Sequence, residues 1–423
     1  MSDEVCQVKM QGENPCGRQT YKDKKKCIFH LENKSDEEAK VFEIAFWKEL
    51  GRMKKDNDIK ELDFTSFVFP NQISFKSYLF EKPVIFIDAQ FNNKTRFFNT
   101  QFNNRADFHK AQFNNGVDFL SVQFNNKASF SYAQFNNMAL FSLNQFNNEV
   151  SFFNAQFNNK ANFSSEFNNK TYFDYSEFQD AASFINAKFP SSDEDLISFK
   201  NVKFHRPKNV RFQNIDLSNV FFLNTDVSEV EFLDEKWARK NGRLVIADET
   251  HIGEEKSAPY NVMTQSYLKL TYSAVAQIYR RLRRNYEANY RFAEAGDFFI
   301  GEMEMRRLDV NTNIKNEKIR NVVLWLERNF SFLGLYKHLF LYGESYVRPL
   351  IWALIVIISY PMIMHWLFDA SLPQPDNSLY AYLRESAASF FQMESTYIGE
   401  RILGVLLLGL LFIALKRQFE RKK

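Results

Sequence analysis

Large apolar residues recur through the middle of the chain, between Phe64 and Phe189, at alternating spacings of five and six residues. Two residues before most of these phenylalanines stands a small or β-branched residue. A helix cannot use this period, because positions five apart diverge by roughly 140° at 3.6 residues per turn. Ordinary strands fit poorly, since a strict two-residue alternation is absent. The pattern predicts a coil with four short sides, each burying one large and one small residue, with identical residues stacked in successive coils.

The commonest unit reads Ala-Gln-Phe-Asn-Asn, and its copies alternate with a second Phe-centred unit. Each of the two series therefore has an eleven-residue period. The first series is Phe91, Phe102, Phe113, Phe124, Phe135, Phe146 and Phe157. The second series is Phe97, Phe108, Phe119, Phe130, Phe141, Phe152 and Phe163.

On these units the chain resembles the pentapeptide-repeat family, in the variant with one extra residue in every second unit. The resemblance implies a mainly β fold, a right-handed quadrilateral β-helix over residues 61–236. Two eleven-residue units would form one coil, and stacked strands would rise about 4.8 Å per coil. The resemblance also implies a ladder of phenylalanines and a ladder of small residues inside the β-helix.

Several positions depart from the regular period. The step from Phe163 to Phe167 is one residue short, and Pro190–Leu196 has the composition of an inserted loop. Asn144 occupies an inward position that is normally held by Ala. After Phe212 the spacing becomes a plain five, which indicates final coils of simpler geometry.

Paired asparagines, such as Asn92-Asn93, follow every phenylalanine of the first series. A regular outward array of this kind could bind ice, glycan or protein. The structural alternative, which we favour, is that stacked asparagines hydrogen-bond along the axis and occupy turns, because Asn tolerates left-handed backbone conformations.

Residues 1–60 contain every cysteine of the chain. Cys6, Cys16, Cys27 and His30 have the spacing C-x9-C-x10-C-x2-H, and three thiolates with one imidazole form a complete tetrahedral ligand set for a structural Zn²⁺. The competing interpretation is three unrelated thiols and a surface histidine. A site with four protein ligands leaves no open position for catalysis.

A helix is predicted directly after this ligand set. Ser35-Asp36-Glu37-Glu38 has the arrangement of a capping box. An apolar stripe follows at helical spacing, formed by Val41, Phe42, Ala45, Phe46 and Leu50. Because a repeat stack has open ends that must be covered, we expect this helix to cover the first one.

The repeat ends after Trp237, and residues 237–345 are predicted to form a linker and amphipathic juxtamembrane helices. Residues 241–259 are predicted to be a polar connector, followed by a helix over 267–290, a turn at 293–297 and a second helix through Arg307. One basic cluster suits contact with anionic lipid, although acidic neighbours such as Glu302 can neutralise it through ion pairs. The cluster consists of Arg280, Arg281, Arg283 and Arg284.

Residues 346–423 are predicted to be a membrane hairpin. Pro349–Phe368 is twenty residues without a full charge, which is enough to cross a ~30 Å hydrocarbon core. Ile402–Leu415 is a second, shorter apolar run. Basic residues flank the outer ends of both runs, and the stretch between them has few, so the positive-inside rule places both termini in the cytoplasm of a cell-membrane protein with two spans.

The stretch between the two runs resembles the re-entrant loop of the two-transmembrane pore-loop ion channel module. The resemblance implies a pore-like loop and an oligomer of several chains. Backbone carbonyls of a glycine-containing filter would be needed for potassium selectivity, and no glycine stands between Gly343 and Gly399, so that selectivity is not supported. The candidate pore-like residues are Ser386, Ser389, Gln392, Glu394 and Thr396.

Composition argues against two other classes of protein. The net charge of +3 favours neither nucleic acid nor an acidic partner, and the repeat surface between Phe86 and Phe163 has four acidic against six basic residues, unlike a DNA mimic. The six histidines are scattered and no phosphate-cradling glycine loop is present, which argues against an enzyme. A hydrophilic N-terminus and an odd cysteine count predict a reducing cytosol for the bulk of the chain. The expected partners are the membrane, a cytosolic protein and further copies of the chain, and a simple membrane tether without conduction stays the alternative to a pore.

Overall fold

The computed structural model of the 423-residue chain describes residues 5–11, 14–190, 192, 196–253, 270–312, 314–368, 379–393 and 398–420. The chain forms two compact units, Met1–Leu270 and Thr271–Lys423. The first contains a β-solenoid of about eight turns and the second is helical. The predicted boundaries at residues 60, 236 and 345 are finer than this division and stay predictions.

The solenoid has four faces, and each face is a sheet of short parallel strands. The first face holds Leu62–Asp63, Val84–Ile85, Ala106–Asp107, Ala128–Ser129, Val150–Ser151, Thr171–Tyr172, Ile197–Ser198 and Val220–Phe221. The second holds Val68–Phe69, Gln90–Phe91, Gln112–Phe113, Gln134–Phe135, Gln156–Phe157, Glu177–Phe178 and Lys203–Phe204. The third holds Ile73–Ser74, Thr95–Arg96, Val117–Asp118, Ala139–Leu140, Ala161–Asn162, Ala182–Ile185, Val210–Gln213 and Glu231–Leu233. The fourth holds Leu79–Phe80, Gln101–Phe102, Gln123–Phe124, Gln145–Phe146 and Glu166–Phe167.

The strand register follows the sequence period. Gln112 pairs with Gln134, 22 residues along the chain, so two eleven-residue units form one coil. The short step before Phe167 reduces one coil to 21 residues, since Gln145 pairs with Glu166. The segment around residues 190–196 lengthens another coil, because Thr171 pairs with Ile197. The predicted irregularities are confirmed at these positions.

Phenylalanine rings form four columns inside the solenoid. Phe97 and Phe119 stack with ring centroids 4.7 Å apart and planes within 1°, and Phe102 and Phe124 stack at 4.9 Å. Rings on opposite faces meet edge to face, as Phe119 and Phe130 do at 5.4 Å. Both arrangements are favourable for aromatic quadrupoles, so the columns stabilise one another.

The two kinds of corner use different residues. Where the next phenylalanine follows after five residues, the residue two positions after the first phenylalanine has positive φ. Asp88, Asn99 and Lys110 are examples. The paired asparagines lie in the other corner and have no positive φ, so the expectation that they use left-handed backbone is wrong. The phenylalanines on either side of this corner are six residues apart instead of five, and the extra residue lets the chain turn without a left-handed residue.

The asparagine pairs instead satisfy polar groups. The first Asn of most pairs donates along the axis, for instance from Asn114 Nδ2 to Asn92 Oδ1 at 2.8 Å and from Asn125 Nδ2 to Asn103 Oδ1 at 2.9 Å. The second Asn accepts from the next backbone N–H, as Asn126 Oδ1 does from Lys127 at 2.8 Å. The expected axial ladder is therefore confirmed.

Asn144 lies in the core, as its position predicts. In a regular corner, the backbone N–H of the small residue that precedes Gln-Phe donates to the carbonyl three residues earlier, as Ala111 N–H does to Phe108 O at 3.0 Å. Val122 N–H donates instead to Asn144 Oδ1 at 2.8 Å, so the asparagine replaces a backbone acceptor of the preceding coil.

Helix α1, Asp36–Lys55, covers the first rung of rings. Its capping box is confirmed, with Ser35 N–H donating to Glu38 Oε2 at 2.9 Å and Glu38 N–H donating to Ser35 Oγ at 3.3 Å. Phe46 is fully buried, with its ring 5.3 Å from that of Phe64. Val41, predicted on the apolar stripe, is exposed, because the helix is rotated so that its inner face consists of Ala39, Phe42, Phe46, Leu50 and Met53.

The last rungs are covered by Trp237 and the residues after it. The Trp237 ring lies 5.7 Å from Phe232, and the strands Ala238–Lys240 and Arg243–Val245 form an antiparallel hairpin before helix α2, Ala247–Thr250. The prediction of a polar connector from residue 241 is wrong for this part, because residues 244–247 are buried. Residues 254–260 lie outside the described residues.

The helical unit contains seven helices within its described residues: α3 (Tyr272–Ala288), α4 (Phe292–Leu308), α5 (Glu317–Phe330), α6 (Phe332–Phe340), α7 (Val347–Phe368), α8 (Leu379–Phe390) and α9 (Ile398–Glu420). The turn predicted at residues 293–297 is wrong, because those residues are helical and the turn lies at 289–291, with Tyr290 at φ 59°. Gly301 of α4 faces the Tyr279 ring, and an added Cβ would lie 2.7 Å from it. Gly301 therefore allows the close approach of α4 to Tyr279 of α3.

Within the described residues, one helical segment is long and apolar enough to cross a membrane, Ile398–Arg417 in α9. It contains the predicted run Ile402–Leu415. The predicted first span falls in α7, whose described apolar part, Val347–Ile363, is shorter.

Candidate metal centre

An antiparallel backbone pairing and a tight turn assemble Cys6, Cys16, Cys27 and His30. An antiparallel pairing brings the first two together, with Cys6 N–H donating to Arg18 O at 2.8 Å and Gly17 N–H donating to Cys6 O at 3.1 Å. The other two share a tight turn, in which His30 N–H donates to Cys27 O at 3.0 Å. The structure therefore groups all four residues that the sequence pattern selected.

The spacing of the ligand atoms matches a tetrahedral ion. Metal–sulfur bonds of about 2.3 Å place neighbouring sulfurs about 3.8 Å apart. Cys16 Sγ and Cys27 Sγ are separated by 3.8 Å, and His30 Nδ1 lies 3.4 Å from Cys6 Sγ and 3.2 Å from Cys27 Sγ. All four ligand atoms lie within 4.8 Å of one another, so the cluster can hold a metal ion.

The other imidazole nitrogen explains why Nδ1 faces the sulfurs. His30 Nε2 lies 3.1 Å from the carbonyl oxygen of Thr65 in the first coil. A carbonyl only accepts, so Nε2 carries the proton and Nδ1 presents its lone pair. Spacing in the sequence could not reveal this contact, because Thr65 is 35 residues away.

Arg18 adds positive charge to the cluster. Its guanidinium donates to Cys16 Sγ at 3.3 Å and pairs with Glu49 of α1 at 3.0 Å. The hydrogen bond between the two thiols lowers the pKa of Cys16 and raises the pKa of Cys27, and the Arg18 hydrogen bonds lower the pKa of Cys16 further. A thiolate is the form that binds metal. Arg18 was not among the residues predicted for the site, since nothing in its spacing distinguishes it from other basic residues.

The cluster is closed to solvent on most sides. Cys6, Cys27 and His30 are buried and Cys16 is half-buried. Four protein ligands fill a tetrahedral ion and leave no position for substrate. The arrangement suits a structural role, holding the N-terminal segment against the solenoid.

The predicted pore-like residues are only partly described. Ser386 Oγ donates to the carbonyl of Ile357 at 2.7 Å and contacts Glu400, and Gln392 Nε2 donates to Arg401 O at 2.8 Å. Ser389 is buried. Glu394 and Thr396 lie outside the described residues.

The basic cluster of α3 is engaged in ion pairs at two positions. Arg280 Nε lies 3.0 Å from Glu302 Oε1, and Arg283 lies 3.3 Å from Glu302 Oε2. Glu302 is buried, so the pairs compensate its charge and join α3 to α4. Arg281 is half-buried and Arg284 is exposed, and lipid contact by the cluster stays a prediction.

The sequence of the solenoid matches a known repeat family over part of its length. The chain has no significant match among curated proteins. Residues 75–122 match the family described as pentapeptide repeats (9 copies). This stretch contains two complete coils of the four-faced stack. Residues 75–122 are therefore similar to pentapeptide repeats, and the strand register continues the same coils on both sides of that stretch.

Proposed function

We propose that this chain is a non-catalytic scaffold that presents a right-handed pentapeptide-repeat solenoid in the cytosol and is held at the cell membrane by its C-terminal helices. The observation that carries the proposal is the apolar segment Ile398–Arg417 in the same chain as the solenoid. Its outer residues are apolar and exposed, among them Leu406 at 55% and Phe412 at 68%. Such a surface is stable in lipid and unfavourable in water.

Helix α7 is the second span of this proposal. Exposed apolar side chains continue along it, including Leu354 and Ile358. In this proposal both termini are cytoplasmic, which is supported by the basic residues at the outer ends of the two apolar runs. The right-handed sense of the solenoid follows the strong preference of parallel crossover connections.

A charge within α9 should weaken membrane retention. Leu406→Arg places a guanidinium in the middle of the span, which costs about 2.5–3.5 kcal/mol. We expect the wild-type chain to stay with membranes after an alkaline wash and the variant to be partly released, as quantified by immunoblot. Met138→Arg, on the exposed solenoid surface, is the matched control and should be retained. Complete release of the wild-type chain would end the membrane proposal.

The four-residue metal centre is a further part of the proposed scaffold. We propose that Cys6, Cys16, Cys27 and His30 hold a structural Zn²⁺, which is supported by the donor set of three sulfurs and one imidazole and by the tetrahedral spacing of the ligand atoms. In this role zinc joins the N-terminal segment to the first coil, since His30 also bonds to Thr65.

We also propose that several chains assemble their hairpins around a common axis as a pore. Helix α8 is a short helix packed against both α7 and α9, which is the arrangement expected of a re-entrant loop. Gly404 of α9 lies against the end of α8, where an added Cβ would be 2.2 Å from Phe390 O. The missing glycine filter argues for a pore without potassium selectivity.

Two glycines of α9 test this arrangement. Gly404→Ala should displace α8, whereas Gly409→Ala meets nothing within 4 Å and should be tolerated. We expect cross-linked multiples of the wild-type chain and bilayer currents that Gly404→Ala abolishes and Gly409→Ala preserves. A strictly monomeric chain that is silent in bilayers would leave only the membrane tether.

A further inference from the structure

Helix α5 turns its apolar side away from the protein. Ile319, Val322, Leu326 and Phe330 recur at spacings of three and four residues, and their exposed fractions range from 46% to 61%. No residue of α5 is buried. An amphipathic helix normally packs its apolar stripe inward, so this stripe is unpartnered among the described residues.

Polar contacts hold α5 to the protein from its other side. Arg307 donates to the backbone carbonyl of Arg328 at 2.9 Å, and Arg328 donates to Leu308 O at 3.3 Å. The Arg328 guanidinium also lies 6.0 Å from the centre of the Tyr272 ring. The helix is therefore fixed in an orientation that presents its apolar stripe outward.

Aromatic side chains extend the exposed surface. Trp325 is 57% exposed and its ring lies 5.6 Å from that of Phe330. On the next helix, α6, Phe332 is 80% exposed and Leu335 is 47% exposed. Tryptophan is enriched where membrane meets water, because its ring is apolar and its N–H is polar.

Contacts with the ends of the two proposed spans place this surface at the membrane boundary. Arg417, the last residue of the α9 span, donates to Tyr342 O at 3.2 Å and lies 3.5 Å from Glu344. Near the start of α7, Arg348 donates to Lys337 O at 2.7 Å, and Trp352 Nε1 donates to His338 O at 3.2 Å. Helix α6 thus lies beside the cytoplasmic ends of both spans, and α5 precedes it by one residue.

The charge of the segment suits an anionic surface. Residues 315–340 contain five Lys or Arg residues against two Glu. Lys315, Lys318 and Arg320 stand at the N-terminal end of α5, and the two lysines are exposed. Basic residues beside an apolar helix face are typical of helices that lie in the headgroup region of anionic membranes.

We propose that α5 and the start of α6 lie in the membrane interface, with the stripe from Ile319 to Phe330 and the rings of Trp325 and Phe332 among the acyl chains of anionic lipid. The proposal rests on the membrane anchoring proposed above. It assigns the lipid contact to α5, whereas Arg280 and Arg283 of α3 pair with Glu302.

Fluorescence quenching by brominated lipid tests the depth of Trp325. The full chain with Trp352→Phe and Trp366→Phe keeps Trp47, Trp237 and Trp325, and is reconstituted in phosphatidylcholine–phosphatidylglycerol vesicles brominated at shallow acyl positions. Since one tryptophan of three should meet bromine, we expect a loss of about one third of the emission, which Trp325→Phe in the same background abolishes. Equal quenching with and without Trp325 would overturn the proposal.

Hydrogen exchange provides a second measurement in the otherwise native chain. Leu326→Asp places a charge on the stripe, and Asn321→Asp places one on an exposed position of the opposite side. In vesicles, amide exchange in residues 319–330 should be about tenfold faster in Leu326→Asp than in wild type, because docking stabilises the helix, and unchanged in Asn321→Asp. Protection that disappears on dilution of the protein in lipid would show that a second copy covers the stripe, and would contradict the lipid assignment.

Flotation of the vesicles separates failure of this inference from failure of the membrane anchor. A chain that does not float with vesicles lacks the anchor itself. A chain that floats while Trp325 stays unquenched retains the anchor and loses only the interfacial helix.

Discussion

Phe124→Asp should unfold the coils on either side of it. The Phe124 ring is 1% exposed and stacks between Phe102 and Phe146, each at 4.9 Å. The substitution removes both stacking contacts and buries a carboxylate with no cationic partner, so we expect a loss of about 4 kcal/mol or more in the free energy of unfolding. Chemical denaturation followed by circular dichroism measures the loss, and proteolysis should locate the cleavage in the adjoining coils.

Asn126→Asp is the matched control for that charge. Its side chain is exposed, and Asp can accept the hydrogen bond that Asn126 Oδ1 receives from the Lys127 N–H. We expect a change within about 0.5 kcal/mol. If Phe124→Asp were tolerated as well as Asn126→Asp, the inward column of phenylalanines would be refuted.

Cys27→Ser should abolish metal binding and release the N-terminal segment from the first coil. Cys27 Sγ lies 3.8 Å from Cys16 Sγ and 3.2 Å from His30 Nδ1, so its loss removes one ligand from the set. We expect about one zinc per wild-type chain by elemental analysis and none in the variant. Residues 5–31 should become sensitive to protease, while the solenoid, which has its own core, stays folded.

His205→Asn is the matched control, because it removes a histidine that lies outside the proposed metal centre. His205 lies on the solenoid surface beside Glu177, far along the chain from the cluster, and its replacement should leave the zinc content unchanged. Addition of a chelator to the wild-type chain should reproduce the protease sensitivity of Cys27→Ser. A metal-free wild-type chain with a protected N-terminus would disprove the zinc proposal.

The solenoid was predictable from the sequence because each residue has a near copy of itself as its neighbour. Gln112 pairs with Gln134 and Phe113 with Phe135, so the period alone determines the register. The same logic located the short coil at Phe167, since a missing residue must shorten the distance between partners.

The ends of the stack were harder to predict, because their neighbours are not copies. Val41 fits an apolar stripe by spacing, yet the orientation of α1 depends on the rings of Phe64 and Phe69, which it covers. Leu244 and Val245 look like part of a linker until the last rung provides a surface on which they are buried. In the metal centre, ligand identity followed from residue type, whereas the choice of Nδ1 depended on Thr65 of the first coil.

The 22-residue coil has a consequence for how such a chain can change in length. Removing residues 112–133 would bring Gln134 over Gln90, a glutamine over a glutamine, with every column preserved. Removing only eleven residues would rotate everything downstream by half a turn and exchange opposite faces of the solenoid. Insertion or deletion of one eleven-residue unit therefore rotates the C-terminal end of the solenoid about its axis. Insertion or deletion of two units changes only the length of the solenoid.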